Sequence, residues 1–167
     1  MKKLTITLFA VMLLLGCSHP ETRFAGSYSY KLSGETEIID ENGEKNVVLV
    51  SKNGQMNILR DKNNRSRLLV TMNEMNGSCY TISAFVRNDS IIFEPYTFST
   101  NILTAGGLNI FDQDENTASI VYSINSEGKG TLTDDFLIVE ESWSGCQSGN
   151  SNVTLSSNKI QILAERN

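Results

Sequence analysis

The chain is predicted to be all-β: a single antiparallel meander closed into an up-and-down barrel of about eight to ten strands. Three observations carry this. First, turn-forming pairs recur along the chain, at Asn42-Gly43, Asn53-Gly54, Asn63-Asn64, Asn76-Gly77, Asn88-Asp89, Gly106-Gly107, Glu127-Gly128 and Asp134-Asp135. Asn-Gly is the strongest short hairpin signal, because both central residues of a type I′ turn need positive φ. Second, the intervals between these pairs are β-branched and aromatic, and no stretch after Arg23 shows the period of an amphipathic helix. Third, Pro20 and Pro95 are the only prolines in a chain rich in Asn, Ser, Thr and Gly, a mix that suits strands joined by tight turns. Strands that follow one another pair as neighbours, and this many must close or stack to hide their edges. A two-sheet sandwich is the rival arrangement.

The chain opens with Lys2 and Lys3, then an apolar run from Leu4 to Leu15 broken by Thr5 and Thr7, then Gly16-Cys17. The run is shorter than the ~20 apolar residues that span a bilayer, and the order of charge, apolar run and small residue is that of a secretory signal. Leu14-Leu15-Gly16-Cys17 resembles the lipobox of bacterial lipoprotein signal peptides. The resemblance implies removal of residues 1–16, acylation of Cys17 and attachment to a membrane through that lipid. An ordinary signal with an incidental cysteine is the bland alternative. Several acyl chains anchor stably where one binds only reversibly. Ser18 stands where well-studied inner-membrane lipoproteins carry Asp, so the resemblance implies the outer membrane. Residues 17–22 read as a short polar tether ahead of one domain, 23–167. Without its first 16 residues the chain keeps 12 basic and 19 acidic residues, a net charge of −7. Lys and Arg do not cluster in any segment, which argues against a nucleic-acid partner.

Taken in order, strands are expected near 23–39, 45–51, 56–61, 66–74, 78–87, 90–99, 108–111, 118–125, 129–133 with 136–143, and 152–163. Turn register assigns faces. Around Asn88-Asp89, Val86 opposes Ile91 and Ala84 opposes Phe93, which puts Tyr80, Ile82, Ala84, Val86, Ile91 and Phe93 on one face. Around Asp134-Asp135, Leu132 opposes Leu137, which groups Leu132, Leu137, Val139, Glu141 and Trp143. Phe85 and Ile92 fall on the face away from the core. Val47 to Val50 is apolar on both faces, and periodicity cannot choose between them.

The first strand, Phe24-Ala25-Gly26-Ser27-Tyr28-Ser29-Tyr30, alternates Phe24, Tyr28 and Tyr30 onto one face with Gly26. Gly26-Ser27-Tyr28 resembles the Gly-x-Trp opening of lipocalins and other calycins, with Tyr28 in the place of tryptophan. In that family a basic residue on the last strand packs over the ring. Lys159 is the candidate within Val153–Leu163. Residues 128–137 resemble the late hairpins of lipocalin-like bacterial lipoproteins. The resemblance implies a barrel whose interior takes a small apolar or amphiphilic ligand, with Tyr28, Tyr30, Tyr80, Phe93, Glu141 and Trp143 as candidate lining residues.

With Cys17 assigned to lipid, Cys79 and Cys146 remain. In an oxidising compartment an even pair reads as one disulfide. Closing a 67-residue loop would contribute about 4 kcal/mol by chain entropy. Two separate thiols are the alternative.

Catalysis is not expected. The only histidine is His19, in the tether, so no Ser-His or Cys-His pair forms in the domain, and no histidine-based metal site either. Asp112-Gln113-Asp114-Glu115-Asn116 begins like a calcium loop, but Thr117 and Ser123 occupy the positions that need Gly and Glu. Neither Asp134-Asp135 nor Glu140-Glu141 offers two acids converging on a cleft. No cofactor is expected. Glu141, inward between Val139 and Trp143, must be paired with a base or line a wet cavity, because a lone buried carboxylate is costly. Asp89-Ser90-Ile91 resembles the Asp-Ser/Thr-aliphatic O-glycosylation site of Bacteroidetes, at a hairpin tip. Two functional classes follow: a ligand-binding barrel, or an interaction or inhibitor lipoprotein with a solid core and a protein partner.

Overall fold

The computed structural model describes residues 20–64, 66–75, 77–102 and 120–167. Among these residues eight strands run in chain order: β1 (Gly26–Ile39), β2 (Lys45–Arg60), β3 (Arg67–Glu74), β4 (Cys79–Arg87), β5 (Ser90–Ile102), β6 (Ile120–Thr133), β7 (Phe136–Gln147) and β8 (Asn150–Arg166). Each pairs antiparallel with the next, and β8 returns to β1 to close the barrel. This is the expected all-β meander, in lipocalin-like form, and not the sandwich.

Two expected turns are not turns. Asn53-Gly54 lies inside β2, and Glu127-Gly128 lies inside β6. Gly54 opposes Tyr30, and a Cβ there would stand 2.2 Å from the Asn73 carbonyl oxygen and 2.8 Å from the Tyr30 ring. That glycine serves a close approach between strands and not a reversal of the chain. The turns at Gly43 and Gly77 have left-handed glycines, at φ 80° and 91°. Asn88 and Asp89, at φ 49° and 60°, form the type I′ hairpin. The expected strand 108–111, the pair Gly106-Gly107 and the acidic run 112–116 lie outside the described residues, as do Cys17 and His19.

The two ends of the barrel differ. At the proximal end, Pro20–Arg23 forms a short 3-10 helix that leads Phe24 into the core, where it is fully buried. The Tyr28 hydroxyl donates to the Phe24 carbonyl at 2.9 Å. The basic residue over the Tyr28 ring is Arg166, not Lys159. Its guanidinium lies 5.3 Å from the ring centroid and donates to the Tyr28 hydroxyl at 2.7 Å. β8 continues past Leu163, and Lys159 points to solvent. Arg23 pairs with Asp89 at 2.8 Å across the β4–β5 hairpin tip. Ser90 is buried beneath that tip, so the hydroxyl of the glycosylation-like triplet is not presented to solvent. Met56, Ile58, Leu68, Val70, Ile82, Ile91, Phe93, Leu137 and Ile162 fill this half of the core. The other end, distal, holds the β1–β2, β3–β4 and β7–β8 connections.

The expected disulfide is absent: Cys79 and Cys146 are free thiols. They begin β4 and end β7, with β5 and β6 between them in the wall. Three strand spacings of ~4.8 Å exceed the ~7 Å limit between bridged Cα atoms.

Candidate functional site

The polar chemistry of the barrel interior gathers in its distal half. Glu141 is inward, as its register with Leu137 and Val139 requires, and only 3% exposed. It opposes Gly128 on β6, whose missing side chain lets the carboxylate lie over that strand; a Cβ there would sit 2.9 Å from Glu141 Cγ. Oε1 accepts from the Tyr96 hydroxyl at 2.9 Å. Oε2 accepts from Trp143 Nε1 at 2.9 Å and from the Ser126 hydroxyl at 3.2 Å. Burial pushes the Glu141 pKa up, and the three donors pull part of it back. None of the ion pairs among the described residues includes Glu141. Among the described residues, therefore, the expected basic partner is not found, and Glu141 is a buried carboxylate held by three neutral donors.

Beside it stand four aromatic rings. Tyr80, Tyr96 and Phe98 stack pairwise with centroids 5.4–5.9 Å apart. Trp143 meets Phe98 edge-on at 5.3 Å. Such pairs contribute about 0.5–1.5 kcal/mol each beyond area burial. They span a seam in the wall. β4 and β5 pair only from Ala84↔Phe93 to Arg87↔Ser90. Distal to that, among the described residues, their approach is made by rings and not by ladder hydrogen bonds. Tyr80 and Tyr96 keep partial exposure although they belong to the inner face.

A second buried charge group completes the cluster. Lys52 Nζ lies 2.8 and 3.0 Å from the two Glu74 carboxylate oxygens and 6.0 Å from the Phe98 centroid. The Lys52 and Glu74 side chains are 9% and 4% exposed. The Tyr30 hydroxyl is buried and has no hydrogen-bond partner. Its pKa is driven up by burial first, then by the fields of Glu74 and Glu141. Burial likewise raises Tyr80 and Tyr96, with Glu141 adding to both.

Of the expected lining residues, Tyr30, Tyr80, Glu141 and Trp143 come together here. Tyr28 does not; it seals the proximal end beneath Arg166. Phe93 lies in the filled half. Tyr96, Phe98, Ser126, Lys52 and Glu74 belong to the cluster and were not expected. Tyr96 and Phe98 face inward because β5 carries an extra residue between Phe93 and Tyr96 relative to β6, which reverses the alternation. Pro95 at that point was the available signal, since proline inside a strand marks a bulge or an edge. A second bulge in β8, between Ser157 and Ile160, keeps Leu155 and Ile162 both inward despite opposite parity.

Comparison of the chain with protein-family models, with curated proteins and with solved structures finds no match.

Proposed function

We propose that this chain is a lipid-anchored protein of the bacterial outer membrane that binds a small apolar or amphiphilic molecule in the distal half of its barrel. The observation that carries the reading is the buried Tyr30 hydroxyl without a partner beside inner-face rings, Tyr80 and Tyr96, that are still partly exposed. A solid core leaves few such hydroxyls unpaired, and barrel mouths are favoured places for small-molecule sites. The lipid anchor is supported by the lipobox resemblance at Cys17. Three residues from Cys17 to Pro20 reach about 10 Å at most, so the proximal end faces the bilayer and the ligand site faces away from it. The role is binding, not catalysis.

Native mass spectrometry of the purified protein tests the reading, together with titration of Trp143 emission by a fluorescent fatty acid. A co-purifying mass, or a saturable change in Trp143 emission, is expected. Absence of both refutes it.

A second reading, docking of a protein partner, has one observation in its favour. Phe85 is register partner to Ile92 on the outer wall and is 37% exposed, near the outward pair Leu59 and Leu69. Exposed apolar patches of this kind mark interaction sites when they are contiguous.

A further inference from the structure

Resting on the ligand-binding reading above, we propose that the distal cluster receives an organic cation: the ammonium head of an alkylamine, seated against the faces of Tyr80, Tyr96 and Phe98 with Glu141 as its counter-charge. Four observations converge on this. Among the described residues the buried charges of the cluster are Glu74, Glu141 and Lys52, and Lys52 is held by both oxygens of Glu74. With Glu141 ionised, these three side chains together carry one negative charge in excess. Glu141 Oε1 accepts a single bond while Oε2 accepts two, so a carboxylate with about four acceptor sites keeps one on Oε1.

The rings supply the second element. Ring faces attract cations within ~6 Å of the centroid, and the barrel already uses this interaction internally, with Lys52 Nζ 6.0 Å from Phe98. The third element is the hydroxyl of Tyr30, a residue 4% exposed; the hydroxyl is buried and unpartnered, feels the fields of both carboxylates and itself acts on Tyr80. Its oxygen can accept from an ammonium N–H. Gly54 makes room for the Tyr30 ring by offering no side chain opposite it. The fourth is access, since β4 and β5 pair only from Ala84↔Phe93 to Arg87↔Ser90 and, distal to that, Tyr80 and Tyr96 keep partial exposure. An anionic head would meet excess negative charge and a lysine already engaged.

The test uses the full-length protein in dodecyl maltoside, with protein-free micelles as the blank. Trp143, the single tryptophan, is the reporter. The probes share a tail and differ in head: hexylammonium, hexyltrimethylammonium and hexyl sulfate. Both cations are expected to bind at least about tenfold more tightly than the sulfate, from cation–π attraction and the counter-charge. Glu141→Gln should abolish that preference, and Tyr80→Leu should weaken both cations. Tyr30→Phe should weaken hexylammonium alone, because the trimethyl head has no N–H to donate. Equal binding of cation and sulfate by the wild-type protein overturns the cation assignment while leaving the binding barrel standing. Binding of no probe, together with no co-purifying mass, overturns both.

Discussion

Glu141→Gln separates the electrostatics of this core from its shape. The substitution keeps the volume and removes the charge. Because no basic side chain among the described residues pairs with Glu141, the change strands no buried cation, a loss that would cost about 3–5 kcal/mol. The amide oxygen can take the Trp143 N–H and the Ser126 hydroxyl, and the amide nitrogen can donate to a rotated Tyr96 hydroxyl. The expected cost where both forms are neutral is therefore within about 1 kcal/mol. The pH dependence has a definite sign. Burial holds the folded-state pKa of Glu141 above its ordinary value near 4.5. The folded protein thus binds this proton more tightly than the unfolded chain does. The stability this gives is fully present below the unfolded pKa, and it is lost as pH rises through the folded pKa. Each unit of displacement is worth about 1.4 kcal/mol, or about 3–6 °C for a domain of this size. Gln has no such loss, so the mutant should gain on the wild-type protein as pH climbs from 4 toward 8. Thermal unfolding of both proteins by far-UV circular dichroism across that range is the assay, and every other carboxylate cancels in the difference. A pH-independent difference would refute the burial argument. A loss of several kcal/mol at every pH would reveal a cationic partner.

At the proximal end, Arg166→Ala should destabilise by about 1–3 kcal/mol through loss of the ring contact and of the hydrogen bonds to Tyr28 and the Arg23 carbonyl; Lys159→Ala should be neutral, and equal effects in denaturant melts would contradict the assignment. Both Cys79 and Cys146 should be alkylated in the native protein without reductant, so a mass shift for neither would restore the disulfide. Cys17→Ala should leave the membrane fraction after high-salt washing, and retention there would place the anchor elsewhere.

Much of the fold was legible locally. Asn88-Asp89 takes positive φ at both residues as expected, while at Asn42-Gly43 only Gly43 does, closing a turn from Asp40; either need is a property of four residues wherever they sit. Alternation from Tyr80 to Phe93 and from Leu132 to Trp143 assigned faces correctly, because period two holds as long as the ladder is regular. Local signals failed where a glycine answered to a distant strand. Gly54 and Gly128 are small because Tyr30 and Glu141 lie over them, yet in sequence they look like turns. That conflict merged two pairs of expected strands into β2 and β6.

The sequence by itself determined the strand-and-turn rhythm, the inward placement of Glu141 and Trp143, and the absence of a histidine from the domain. Tertiary structure decided which side chains meet. The bulge beside Pro95 reversed the parity of β5 and brought Tyr96 and Phe98 to Tyr80 and Glu141, a consequence of one extra residue measured against a neighbouring strand. Closure of β8 on β1 chose Arg166 over Lys159, because only the register of the two strands says which base lies over Tyr28. Strand order separated Cys79 from Cys146, whose number and compartment had suggested a bond. Each of these depends on distances between residues far apart in the chain, and those distances come into being only when the barrel closes.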